Sequence, residues 1–128
     1  MKHHVLILDD EADVRTAIRL QLKGTRFETL EAESFEQAIG LLSDNPISID
    51  VIICDVRMPG VSGLEAVATF QREYPNTPVI VLTGFPDVGL AVDFMKKQDV
   101  VDYLTKPVEK DQLIKAVEQA AQGRKLFE

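Results

Sequence analysis

The stretch VIICDVRMPG, residues 51–60, decides the fold of this chain of 128 residues. Its first four residues are apolar with no polar alternation, which is typical of a strand buried on both faces of a parallel sheet. A second unbroken run, Val79–Leu82, has the same character. Pro59 and Gly60 mark the turn that follows the first run. The stretch therefore predicts a central strand that is followed at once by an acid, Asp55.

Further apolar runs and helical stripes lie on both sides of this strand. The other runs are Val5–Leu8, Phe27–Leu30 and Val100–Leu104. Apolar residues between the runs recur at spacings of three and four, which indicates five amphipathic helices. The stripes are Val14, Ala17, Ile18 and Leu22; Phe35, Ala38, Ile39 and Leu42; Leu64, Val67, Ala68 and, as a weak last position, Gln71; Val88, Ala91, Val92 and Met95; and Leu113, Ala116, Val117 and Ala120. Ser34 with Gln37 and Ser62 with Glu65 fit capping boxes at two helix starts. The alternation predicts an α/β fold whose parallel sheet carries helices on both faces.

The composition fits one packed domain over residues 1–128. Hydrophobic residues make up 45% of the chain and charged residues 27%, which is enough for a globular core. Twenty-one acidic residues against fourteen basic ones give a net charge of −7, so we expect no direct binding of nucleic acid or of an anionic membrane. The sequence shows no signal peptide and no apolar stretch of membrane-spanning length, so we expect a cytoplasmic protein.

Side chains capable of chemistry follow four of the five predicted strands. Asp9, Asp10 and Glu11 follow the first strand, Asp55 the third, Thr83 the fourth, and Lys106 the fifth, one residue past Thr105. The second strand ends in Glu31-Ala32-Glu33, which is typical of ordinary polar surface. Since ligands of such sheets bind beyond the carboxyl ends of the strands, we expect the acids, the hydroxyl and the amine to meet at one edge.

The chemistry of this set favours phosphoryl transfer with a metal ion. Clustered carboxylates repel one another unless a cation lies among them, and oxygen ligands suit Mg²⁺. A hydroxyl and an ammonium can bind phosphoryl oxygens, while one carboxylate acts as nucleophile and forms an aspartyl phosphate. Taken singly, Asp9 or Asp10 is commonly a helix cap. Thr83 is commonly a turn hydroxyl and Lys106 a solvated surface residue. Their joint placement makes Asp55 the candidate phosphoacceptor.

The motifs at these strand ends resemble those of the receiver domain of two-component response regulators, the CheY-like family. They are Ile7–Glu11, Asp55–Gly60, Val81–Gly84 and Tyr103–Pro107, and the resemblance spans essentially the whole chain. It implies a three-layer, flavodoxin-like (βα)5 fold with strand order 2-1-3-4-5. It also implies a signalling domain, not an enzyme, that assists its own phosphorylation and dephosphorylation.

The resemblance implies a metal-binding role for four residues. Asp10 would bind Mg²⁺ directly and Asp9 through water. The main-chain carbonyl of Arg57 would complete the protein's share of the metal shell, beside the phosphoacceptor Asp55.

The resemblance also assigns residues to the phosphoryl group and to the switch. Thr83 would bind a phosphoryl oxygen. Lys106 would pair with Asp55 and then with the phosphoryl group, and the Lys106–Pro107 peptide is expected to be cis. Tyr103 resembles the aromatic switch residue, with a half-buried strand tyrosine as the equally favoured alternative. The switch would act on the surface formed by the fourth helix, the fifth strand and the fifth helix.

The resemblance implies a sensor histidine kinase or a phosphotransfer protein as the phosphoryl donor. A C-terminal effector domain and a homodimer partner are both compatible with it. Two alternatives stay open: a phosphatase or other hydrolase with an aspartyl nucleophile, for which Asp9–Glu11 would supply the acids, and an unphosphorylated adaptor with the receiver fold.

Overall fold

A computed structural model describes residues 3–44, 49–57, 62–84 and 102–126 of the chain. The strands are β1 (His3–Leu8), β2 (Phe27–Ala32), β3 (Val51–Asp55), β4 (Val79–Thr83) and β5 (Asp102–Thr105). The helices are α1 (Ala12–Leu22), α2 (Phe35–Asp44), α3 (Gly63–Glu73) and the C-terminal helix (Lys110–Leu126). All strand pairs are parallel, and the strand order is β2-β1-β3-β4-β5. The predicted fold class and strand order are confirmed. The predicted fourth helix, Val88–Met95, and the first two residues of the predicted fifth strand lie outside the described residues.

Helices cover both faces of the sheet. Because side chains along each strand alternate between the faces, neighbouring strand residues pack into two separate core clusters. Val5 of β1 packs in one core cluster with Ile18 of α1 and Leu113 of the C-terminal helix. Its neighbour Leu6 packs in a second cluster that includes Phe70 of α3. Every residue of β3 and β4 is buried, as their unbroken apolar runs predict. The polar groups at the ends of these strands therefore stand on a rigid, fully packed base.

The helix starts follow the predicted capping signals. Ser34 Oγ accepts a hydrogen bond from the Gln37 N–H at 3.1 Å, and Ser62 Oγ accepts one from the Glu65 N–H at 3.1 Å. Gly63 comes directly after the second cap. A Cβ atom on Gly63 would lie 2.6 Å from a main-chain oxygen of the segment after β3, so only glycine allows α3 to begin so close to β3.

One member of the predicted α1 stripe is not in the core. Ile18 and Leu22 are buried, but Ala17 is exposed. Ala17 instead lines a groove of about 210 Å³ together with Pro107 and Val108. The buried face of α1 is therefore narrower than the spacing of its apolar residues predicts.

Candidate acid and lysine site at the carboxyl edge of the sheet

The strand ends bring the predicted polar residues to one edge of the sheet. Asp9 follows β1, Asp55 and Thr83 are the last residues of β3 and β4, and Lys106 follows β5. In the parallel register Thr83 lies opposite Thr105, and the Lys106 N–H donates to the Thr83 carbonyl at 2.7 Å. Within the described ranges, the buried polar side chains are Asp9 (0% exposed), Asp55 (2%) and Thr83 (0%). Burial of polar groups is costly, so their concentration here marks a built site.

The acids form a tight cluster that faces one ammonium group. Asp9, Asp10 and Asp55 offer carboxylate oxygens that all lie within 4.8 Å of one another. Lys106 Nζ lies 2.8 Å from Asp9 Oδ2, 3.2 Å from Glu11 Oε1 and 3.4 Å from Asp55 Oδ2. The predicted pair between Lys106 and Asp55 is present, and Asp9 is the nearer partner. Among the described residues, one ammonium and four carboxylates leave an excess of negative charge at the site.

Main-chain N–H groups fix one oxygen of each buried acid. Asp9 Oδ1 accepts from the Glu11 N–H at 2.8 Å, and Asp55 Oδ1 accepts from the Arg57 N–H at 3.0 Å. These local turns are favoured by aspartate, whose side chain reaches the main chain two residues on. The second oxygen of each acid, Oδ2, then lies on the side of Lys106.

Burial and the neighbouring charges together change the pKa values of two groups at the site. Burial raises the pKa of the Asp55 carboxyl from 3.8 to about 6; the Asp9 carboxylate adds to the rise, and the Arg57 N–H and Lys106 oppose it. Burial opposes the charge of Lys106, but its hydrogen bond to Asp9 and the charge of Asp55 outweigh that effect, so the pKa of Lys106 is raised. An added cation would relieve the cost of ionising Asp55.

The donor set fits a hard divalent cation. All three clustered acids offer oxygen, and Asp10 is exposed, so bound water can complete a metal shell there. Cys54, the neighbouring thiol, does not fit as a ligand, because burial raises its pKa and keeps it neutral. Its Sγ–H donates to the Asp55 carbonyl at 3.5 Å. The carbonyl of Arg57 remains a predicted ligand.

Two further expectations concern the strand β5 and the turn after it. The Lys106–Pro107 peptide is cis, as predicted. Tyr103 is half-buried, lies opposite Val81 and packs against the core cluster that includes Phe70. This position suits either a switch residue or an ordinary strand tyrosine, so its role in switching stays a prediction.

A network of ion pairs that the sequence analysis does not predict lies beside the acids. Arg15 of α1 donates from Nη1 to the Asp9 carbonyl at 2.7 Å and from Nε to Glu31 Oε1 at 3.2 Å. Arg19, one turn later, donates to Glu31 Oε2 at 2.9 Å. Glu31, predicted as ordinary polar surface, is 28% exposed and forms ion pairs with both arginines, which the prediction did not include. The sequence signal for this network is the spacing of Arg15 and Arg19, which lie four residues apart and therefore share one face of α1.

The fold and the site together define a class: doubly wound α/β domains with an acidic, lysine-containing cluster at the carboxyl edge of the sheet. The chain belongs to the response regulator receiver domain family of two-component signalling, whose model matches residues 5–118. A receiver domain from Clostridium thermocellum has a similar structure, with a TM-score of 0.89 and 32% identity over 98% of this chain and 99% of that one.

Two curated relatives are longer than this chain. The transcriptional regulatory protein FixJ of Bradyrhizobium diazoefficiens is 34% identical over 120 residues, which cover 93% of this chain and 57% of FixJ. The C4-dicarboxylate transport transcriptional regulatory protein DctD of Pseudomonas aeruginosa is 35% identical over 124 residues, which cover 95% of this chain and 26% of DctD. Among the described residues, no helix is long and apolar enough to cross a membrane.

Proposed function

We propose that this domain accepts a phosphoryl group on Asp55, with Mg²⁺, from a phosphohistidine of a sensor histidine kinase or phosphotransfer protein. The observation that carries the proposal is the environment of Asp55. Its carboxyl is buried at the end of β3, beside the acids Asp9 and Asp10 and 3.4 Å from Lys106 Nζ. A nucleophile, a cation site and an ammonium for the incoming oxygens are thus within one small volume.

Each group has a defined task in the proposed reaction. Asp9, Asp10, Asp55 and the carbonyl of Arg57 would hold Mg²⁺, which when bound neutralises charge on the acids and on the phosphoryl oxygens. A carboxylate oxygen of Asp55 attacks phosphorus while the bond from phosphorus to the histidine nitrogen breaks. Lys106, which pairs with Asp9 and Asp55 beforehand, can turn to the new phosphoryl oxygens.

The proposed output is a change of surface, not turnover of a substrate. Thr83 would bind a phosphoryl oxygen and Tyr103 would turn inward, biasing the surface formed by the predicted fourth helix, β5 and the C-terminal helix. FixJ and DctD are transcriptional regulators by name. We therefore propose a C-terminal effector domain or a homodimer partner as the recipient, in the cytoplasm. The net charge of −7 supports an output that does not require this domain to bind nucleic acid.

Intact-mass spectrometry tests the phosphoacceptor directly. Incubation with phosphoramidate or acetyl phosphate and Mg²⁺ should add the mass of one phosphoryl group, and EDTA should prevent the gain. Asp55→Asn should not gain mass, whereas Asp13→Asn, which alters an exposed acid of α1, should gain it as the wild type does. Unchanged labelling of Asp55→Asn would sink the assignment. Sustained hydrolysis of a small phosphate ester would favour the hydrolase alternative. A wild type that gains no phosphoryl mass would favour the alternative of an unphosphorylated adaptor with the receiver fold.

Lys106→Ala separates phosphorylation from its consequence. We expect labelling to persist, because Asp55 and the metal acids remain, while the conformational response weakens. The response is measured as changes in amide chemical shifts in β5 and the C-terminal helix after phosphorylation. Shift changes as large as those of the wild type would contradict the role of Lys106.

A further inference from the structure

Arg15 joins the second strand to the segment that carries the metal-site acids. Its guanidinium is largely buried, with 14% of the side chain exposed. Nη1 donates to the Asp9 carbonyl at 2.7 Å, and Nε donates to Glu31 Oε1 at 3.2 Å. The planar fork of arginine can hold both acceptors at once, which the single ammonium of a lysine does less well.

Residues of β2 hold the main chain of Asp9 at two points, directly at its N–H and through Arg15 at its carbonyl. Its N–H donates to the Ala32 carbonyl at 3.1 Å, and its carbonyl accepts from Arg15, which Glu31 anchors. The contact of Arg15 is with main chain. Both carboxylate oxygens of Asp9 are contacted by other groups: Oδ1 by the Glu11 N–H and Oδ2 by Lys106.

We infer that Arg15 is a positioning residue for the metal site: by holding the Asp9 carbonyl, it fixes the segment that presents Asp9 and Asp10 to Mg²⁺. The inference rests on the metal site of the proposed function. Lys106 neutralises the acids and competes with the cation for Asp9 Oδ2, whereas Arg15 sets the main chain from which the acids project. Groups that orient metal ligands without touching the metal contribute strongly to affinity.

The sign of the effect on Mg²⁺ affinity separates positioning from simpler roles. Arg15 carries a positive charge close to the acids, so its removal on Coulombic grounds alone would tighten cation binding. A purely structural role would lower stability and leave the affinity of the folded protein unchanged. Positioning predicts the opposite of the Coulombic effect, a loss of affinity when the positive charge is removed.

The test is the Mg²⁺ dissociation constant of the whole chain, measured by isothermal titration calorimetry without a phosphoryl donor. Arg15→Met keeps most of the aliphatic stem and should weaken Mg²⁺ binding by about 10-fold. Arg19→Met is the matched control. Arg19 also contacts Glu31, but its side chain is 50% exposed and, among the described residues, it forms no hydrogen bond with Asp9. It should change the constant by less than about twofold. Circular dichroism establishes that each variant is folded.

Arg15→Lys carries the same test if Arg15→Met does not fold. It retains the charge, so a Coulombic role predicts an unchanged constant, while the loss of the fork predicts weaker binding. Mg²⁺ affinity equal to or tighter than that of the wild type, in whichever variant folds, overturns the inference. A wild type that binds Mg²⁺ in an Arg15-dependent way but takes no phosphoryl group on Asp55 would contradict the proposed function and support this inference.

Discussion

Replacing Asp55 with asparagine should stabilise the metal-free protein. Burial and the Asp9 carboxylate raise the pKa of Asp55 from 3.8 to about 6, a difference of about two units. At about 1.4 kcal/mol per unit, the ionised carboxylate costs up to about 3 kcal/mol at pH 7.5. Asparagine keeps the shape of the side chain and an oxygen for the Arg57 N–H, but it carries no charge. We expect Asp55→Asn to raise the free energy of unfolding by about 1–3 kcal/mol in EDTA.

The pH dependence gives this prediction its sign. Because the folded state binds the Asp55 proton more tightly than the unfolded chain, protonation of Asp55 stabilises the fold. This stabilisation is full below about pH 4 and is lost as the pH rises through about 6. The difference between variant and wild type should therefore be close to zero near pH 4 and largest above pH 7. Urea unfolding followed by circular dichroism suits this chain, which has no tryptophan.

Mg²⁺ supplies the control for the same experiment. The cation should stabilise the wild type and remove most of the advantage of Asp55→Asn at pH 7.5, because it binds the folded state and offsets the charge. Equal or lower stability of Asp55→Asn in EDTA at pH 7.5, or a difference that does not vary with pH, would refute the reasoning from buried charge.

Three further predictions test the packing that supports the site. Gly63→Ala should lower the free energy of unfolding by about 1–3 kcal/mol, because the added Cβ overlaps with main chain. Gly40→Ala, at a position of α2 with open space around it, should raise the free energy of unfolding by about 0.5–1 kcal/mol. Equal effects of the two substitutions in urea unfolding would contradict the close approach at Gly63. Phe70→Ala should cost about 3–5 kcal/mol because the ring is fully buried, while Leu20→Ala, 57% exposed, should stay within about 0.5 kcal/mol; a small loss for Phe70→Ala in thermal unfolding would argue against the core. Cys54 should react with a thiol reagent only after unfolding, since burial raises its pKa; fast reaction of the native protein would contradict its burial.

The features that the sequence predicts well are local or repeated along the chain. The runs Val51–Cys54 and Val79–Leu82 predict buried central strands because a strand that is covered on both faces buries the side chains of each face. The cap at Ser62 depends on residues three apart. The convergence of Asp55 and Lys106 follows from the parallel order of the strands, since their carboxyl ends share one edge.

The features that the sequence did not predict depend on the packing of distant segments. The contact of Arg15 with Glu31 needs both the register of β2 and the rotation of α1, neither of which is encoded by nearby residues. The exposure of Ala17 likewise depends on how the segment after β5 lies beside α1, since Ala17, Pro107 and Val108 line one groove. The nearer pairing of Lys106 with Asp9 than with Asp55 is a matter of tenths of an ångström in side-chain placement.

Chemical trapping of the aspartyl phosphate identifies the phosphorylated residue directly. Protein treated with phosphoramidate and Mg²⁺ is reduced with borohydride, which converts an aspartyl phosphate to homoserine, and is then digested and sequenced by mass spectrometry. We expect homoserine at position 55 in the wild type and none in a sample treated with EDTA. Homoserine at position 9 or 10 with an unmodified Asp55, or phosphate found only on hydroxyl side chains, would contradict this expectation.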